Sequence, residues 1–87
     1  MSHLLEFYGT ECPHCERMKL LVAKLEKEEK VKVDSFETWH DEANAKKMAE
    51  YDKNLCGGVP FFFNTKTNKF ICGECSYDEL KNWALGN

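Results

Sequence analysis

Leu4-Leu5-Glu6-Phe7-Tyr8-Gly9-Thr10-Glu11-Cys12-Pro13-His14-Cys15 decides how the chain is read, because its hydrophobic pattern changes period at Gly9-Thr10. His3 to Tyr8 is a short, mostly apolar run, aromatic toward its end, and predicts a buried strand. From Pro13 to about Lys30 the apolar residues Met18, Leu21, Val22 and Leu25 recur at helical spacing, while Lys24, Glu26, Lys27, Glu28 and Glu29 supply a charged face. A strand, a tight turn and a proline-initiated helix therefore follow one another, with two cysteines at the junction.

With Cys12 as the N-cap, Pro13 takes the first helical position, where its missing N–H costs nothing, and Cys15 lies one turn in on the same side. The free N–H groups and the positive end of the helix dipole then favour a Cys12 thiolate, which is the nucleophilic form. Cys15 is placed to attack the mixed disulfide that Cys12 forms with a substrate, closing an internal disulfide and releasing the product. His14 can add positive charge or a hydrogen bond to the thiolate, and Glu11 opposes it. Each unit by which the thiol pKa falls corresponds to about 1.4 kcal/mol, or about 30 mV in a two-electron couple. Stabilising the thiolate alone makes the pair more oxidising. A Cys-x-x-Cys pair also suits half a zinc site or two inert core thiols, but the strand–turn–helix setting favours redox chemistry.

Outward from this junction, Val31 to Phe36 predicts a second strand, so the first two strands form a parallel pair joined by the helix. Thr38, followed three residues later by Asp41, offers a cap for a polar second helix whose stripe is Ala45, Met48 and Ala49, up to Tyr51. Gly57-Gly58 breaks the chain. Pro60-Phe61-Phe62-Phe63 and Lys69-Phe70-Ile71 then make a hairpin around Asn64 to Asn68. Ser76 with Glu79 forms a capping box ahead of Leu80, Trp83 and Ala84, in a last helix that ends near Gly86. The order is βαβαββα, an α/β arrangement in which one four-stranded sheet with helices on both faces buries every stripe.

The chain has 87 residues, 43% hydrophobic and 31% charged, which suits a single domain over residues 1–87 and, as expected, a monomer. No apolar run approaches the roughly 18 residues of a membrane span. The net charge of −3 is spread along the chain without the basic stripe that nucleic-acid binding requires. Met1-Ser2-His3 leads straight into the first strand with no secretory pattern, so the expected location is the cytoplasm or an organelle matrix or stroma. The five cysteines are an odd count with two Cys-x-x-Cys spacings, which favours redox or metal chemistry over structural stapling.

These residues resemble the thioredoxin superfamily over nearly the whole chain, at the size of its glutaredoxin-like members with their mixed four-stranded sheet and three helices. Leu5-Glu6-Phe7-Tyr8 followed by Cys12-Pro13-His14-Cys15 is similar to the DsbA-type oxidases. The resemblance implies a thiol–disulfide oxidoreductase and electron carrier acting on protein thiols and disulfides, with no bound cofactor. It implies Glu6 as a buried acid serving the resolving thiol, Val59-Pro60 as a substrate loop with a cis-proline, and Gly73 as a glycine that lets substrate approach. Burial of Glu6 would raise its pKa and suit it to proton transfer with Cys15 near neutral pH. The helical insertion of the DsbA type is absent, which points away from large unfolded substrates. Gly9-Thr10-Glu11 replaces the basic residue that glutaredoxins often carry before their cysteines. Glutathione as co-substrate, with its reductase, remains the alternative within the class.

Cys72-Gly73-Glu74-Cys75 has three readings. Cys72 and Cys75 are small apolar side chains at a strand end and before the Ser76 cap, or a second redox pair exchanging with the first, or, with Cys12 and Cys15, four thiolate ligands for zinc or an iron–sulfur cluster. Cys56 is expected to pack inertly in the loop before Gly57-Gly58. His3, His40, Trp39, Trp83 and the Phe61-Phe62-Phe63 run are assigned to surface, cap or core.

Overall fold

A computed structural model of the chain describes residues 2–53 and 56–86. The elements follow the order β1 (Leu4–Tyr8), α1 (Pro13–Glu29), β2 (Val33–Glu37), α2 (Glu42–Asp52), β3 (Phe61–Asn64), β4 (Phe70–Cys72) and α3 (Tyr77–Leu85). They build one four-stranded sheet in the order β2-β1-β3-β4. β1 runs parallel to β2 and antiparallel to β3, which pairs antiparallel with β4.

The two-residue period of the strands divides the core. Leu4, Val33 and Phe62 face α1 and α3, where they meet Met18, Val22, Leu25, Leu80, Trp83 and Ala84. Leu5, Phe7 and Phe61 face the opposite way, toward Met48 of α2, with Phe36, Tyr51 and Phe63 packed around them. One face thus carries two helices and the other one. Glu6 shares a face with Leu4, so the strand pattern itself turns a carboxylate toward α1.

The ends of the elements are set by side-chain caps. Ser76 accepts the Glu79 N–H at 3.2 Å and starts α3, as the capping box predicts. α2 starts at Asp41, whose carboxylate accepts the Asn44 N–H at 3.1 Å. Thr38 is not the cap, because its backbone and hydroxyl both donate to the Tyr8 carbonyl. β2 begins at Val33 rather than Val31, because α1 ends in a left-handed residue at Lys30 (φ 53°), and Val31 is spent on the link.

Candidate active site

The C-terminal end of β1 and the N-terminal end of β3 meet at one end of the sheet, since Phe7 pairs with Phe61. Everything between Gly9 and Cys15 on one side, and Val59 and Pro60 on the other, gathers there. The turn after β1 is held by Cys12 N–H donating to the Gly9 carbonyl at 3.2 Å. Trp39 lies against Gly9 so closely that a Cβ on this residue would sit 2.2 Å from the indole. Glu37 ties the turn to the segment after β2, accepting from the Thr10 hydroxyl at 2.8 Å and the His40 N–H at 2.7 Å.

Cys12 is the N-cap of α1, in an extended conformation, and Pro13 follows at the first helical position. Its Sγ accepts the Cys15 N–H at 3.1 Å. The two cysteines are joined as a disulfide with Cα atoms 5.2 Å apart, and both are buried. A hydrogen bond from the helix backbone together with the dipole is the arrangement that stabilises a thiolate once this disulfide opens.

Glu6 is 5% exposed and lines a cavity of about 220 Å³ together with Cys15, Lys19 and Ser35. Ser35, its partner in the β1–β2 register, donates to its carboxylate at 2.7 Å. Burial pushes the Glu6 carboxyl above its ordinary 4.5, against the opposing pull of the Ser35 hydrogen bond, with Glu26 adding to the rise. A raised carboxyl is fully favourable to folding below the unfolded value and loses that advantage as pH rises through the folded value. Glu6→Gln should therefore gain stability relative to the parent as pH climbs above 4.5, measured by denaturant unfolding at several pH values. The same substitution should slow closure of Cys15 on a mixed disulfide by about 100-fold, and a rate unchanged between about pH 6 and pH 9 would remove Glu6 from proton transfer.

His14 is exposed, with its Nδ1 2.7 Å from Glu74 Oε1 and 2.8 Å from Arg17 Nη2. Arg17, one turn on, donates to both Glu74 oxygens at 2.8 and 3.0 Å. These hydrogen bonds hold the Glu74 carboxyl down at about 2, so it is ionised throughout the working range. The loop after β4 is thereby bound to the first turns of α1. Glu74→Gln removes a negative charge near the N-terminus of α1 and loosens His14 and Arg17. The Cys12–Cys15 couple should become more oxidising, by about 30 mV for each unit that the Cys12 pKa falls. A redox titration showing a more reducing couple would contradict this. Glu11 is likewise paired, with His40 Nε2 2.9 Å from its carboxylate, and the hydrogen bond to Glu11 raises the His40 pKa. His40 is exposed, as expected of a surface residue, and this pairing sets it beside the turn before Cys12.

The Val59–Pro60 peptide is cis, the isomer implied by the resemblance. Gly73 adopts φ +87°, a conformation that favours glycine, and among the described residues no atom beyond its chain neighbours lies within 4 Å of where its side chain would begin. Its N–H donates to the Pro60 carbonyl at 2.8 Å.

Cys56 and Cys72 differ from expectation, whereas Cys75 packs against the α1–α3 core in keeping with its reading as a small apolar side chain. Cys72 is bonded to Cys56, with Cα atoms 5.4 Å apart, and Cys75 is free. The pairing of Cys72 with Cys75 is therefore corrected, as is the inert Cys56. The register sets Cys72 opposite Phe61, beside the loop that carries Cys56, whereas Cys75 turns toward α1, its N–H 3.5 Å from Met18 Sδ. Burial, then Glu79 and Glu74, push the Cys75 thiol up to about 11, which keeps it protonated and weakly nucleophilic. Among the described residues no group of three or more His, Cys, Asp or Glu side chains converges as metal ligands would.

No protein-family model and no curated protein matches the chain. Among solved structures, a glutaredoxin from Archaeoglobus fulgidus superposes with a TM-score of 0.62 at 24% identity, covering 95% of this chain and 86% of that one. The fold is glutaredoxin-like. The sheet order agrees with that framework, and in this chain the first cysteine pair lies at the start of α1.

Proposed function

We propose that the chain is a thiol–disulfide oxidoreductase that exchanges disulfides with protein substrates through Cys12 and Cys15. The observation that carries this reading is the cysteine pair itself: Cys12 caps α1, accepts the Cys15 N–H, and is already joined to Cys15.

In the reducing direction, the Cys12 thiolate attacks one sulfur of a substrate disulfide and the other leaves as a thiolate. Cys15 loses its proton toward Glu6 across the shared cavity, attacks the Cys12 sulfur, and the second substrate thiolate departs. Run backward, the same steps oxidise a dithiol. The open side of Gly73, whose N–H holds the Pro60 carbonyl, supports an extended substrate segment along the Val59–Pro60 rim. The Cys-Pro-His-Cys tetrapeptide, like that of DsbA-type oxidases, supports an oxidising pair. Return of the enzyme to its dithiol state needs a thiol reductant, either glutathione or a reductase. The glutaredoxin fold favours the first. The acidic Gly9-Thr10-Glu11 turn favours the second, because it holds no cation for glutathione's carboxylates.

Cys15→Ser provides the test, since it keeps the attacking thiol and removes the resolving one. Incubated with a disulfide-bonded protein, this variant should accumulate a covalent mixed disulfide at Cys12, read by non-reducing electrophoresis and mass spectrometry. The absence of any adduct at Cys12 would defeat the proposal.

A further inference from the structure

The Cys56–Cys72 disulfide takes no part in the exchange at Cys12 and Cys15, yet its two ends stand on both arms of that site's rim. Cys56 opens the segment Cys56-Gly57-Gly58-Val59 that leads into the cis peptide at Pro60. Cys72 ends β4 and is followed by Gly73, bonded to the Pro60 carbonyl, and by Glu74, bonded to His14 and Arg17. One covalent bond thus links the loop before Pro60 to the loop that holds His14.

The surroundings suit a bond that opens and closes. Cys72 is exposed, on a strand of three residues at the edge of the sheet, so an incoming thiolate can reach it. Neither half of the disulfide is among the buried residues of the two clusters, and Cys56 packs against the margin of one. A second anchor stays in place when the sulfurs part, because the buried Asp52 carboxylate accepts the N–H groups of Cys56 at 2.6 Å and Gly57 at 3.0 Å. Beyond it, among the described residues and apart from chain neighbours, no atom lies within 4 Å of where a side chain on Gly57 or Gly58 would begin. The Cys56 sulfur lies 3.4 Å from the Gly58 carbonyl. A half-cystine has no proton to offer there, whereas a Cys56 thiol would donate to it, a hydrogen bond available only to the reduced form.

We propose that Cys56–Cys72 is a second thiol–disulfide exchange site, opened by dithiol reductants at Cys72, and that its state controls how the Val59–Pro60 rim receives peptide substrates. One thiolate of the dithiol attacks Cys72 Sγ, the Cys56–Cys72 bond breaks, and Cys56 leaves as a thiolate that takes up a proton. The second thiol of the reductant then attacks the mixed disulfide, releasing Cys72 and closing the reductant's own disulfide. Two electrons and two protons pass to the protein. The part of this proposal that concerns substrate rests on the function assigned to Cys12 and Cys15, whereas the opening of the bond does not.

The experiment is a titration of the whole protein in dithiothreitol buffers of graded redox ratio, with alkylation and mass mapping of each cysteine and circular dichroism at every point. Cys56 and Cys72 should become alkylated together, reversibly, while the protein remains folded. A disulfide that stays closed until the fold is lost is a structural staple, and the proposal then fails. The double variant Cys56→Ser/Cys72→Ser reads the control of the rim. Without the link, KM for a disulfide-bonded peptide should rise about tenfold, the factor carried by fixing roughly one residue's backbone. Turnover of a small disulfide such as bis(2-hydroxyethyl) disulfide should stay within about twofold. Equal changes for both substrates, or none for either, would overturn it. If instead Cys12→Ser proves as active as the parent, the assignment of the first pair fails, and the titration still reports on the second.

Discussion

Cys12→Ser is expected to abolish turnover, lowering kcat/KM for dithiol-driven reduction of a protein disulfide by at least about 1000-fold. The size of the effect follows from where Cys12 sits. Its sulfur is the cap of α1 and the group that receives the Cys15 N–H, so it is the atom whose negative charge the helix start stabilises. A serine hydroxyl accepts the same N–H and caps the helix well, so the variant should keep its fold and lose only the nucleophile. Circular dichroism indistinguishable from the parent, together with lost turnover, would separate chemistry from structure. Retained turnover would place the reaction elsewhere.

Phe62→Ala should cost about 3–5 kcal/mol, a large part of the roughly 5–15 kcal/mol that a domain commonly has. Phe62 is fully buried, lies on the sheet face that carries both α1 and α3, and meets Trp83 edge-on with ring centroids 5.5 Å apart. Truncation leaves a cavity bounded by two helices and the central strands, which cannot close without moving them. The midpoint of thermal unfolding should fall by more than about 12 °C at roughly 4 °C per kcal/mol. Phe70, at 43% exposure on the edge strand, provides the contrast, and its replacement by alanine should cost far less. Comparable losses at the two positions would mean that the core is not where the packing places it.

Much of the site was legible because its determinants are local. A cysteine before a proline, after a strand and a tight turn, makes a cap wherever the rest of the chain goes, and Cys12 and Cys15 are arranged accordingly. The Ser76 cap and the Met18, Val22 and Leu25 stripe were legible for the same reason, since caps and helical faces act within a turn or two. Glu6 lies between these cases: its face follows from the period of β1, but its cavity exists only because α1 crosses above it and Ser35 pairs beside it.

The contacts that join the rim were set by tertiary structure alone. Glu74 reaches His14 across 60 positions and His40 reaches Glu11 across 29. Cys72 pairs with Cys56, 16 positions away, although Cys75 lies only three residues off. Spacing alone offered the nearer cysteine as the partner in one of three readings. Its physical competitor was the β3–β4 register, which sets Cys72 beside the loop leading to Pro60 while the chain turns Cys75 onto α1. The sequence by itself determined the Cys12 cap and its helix, because those depend on neighbours along the chain. The partners of His14, Glu11 and Cys72 were decided only by the tertiary structure, because they depend on which strand lies next to which.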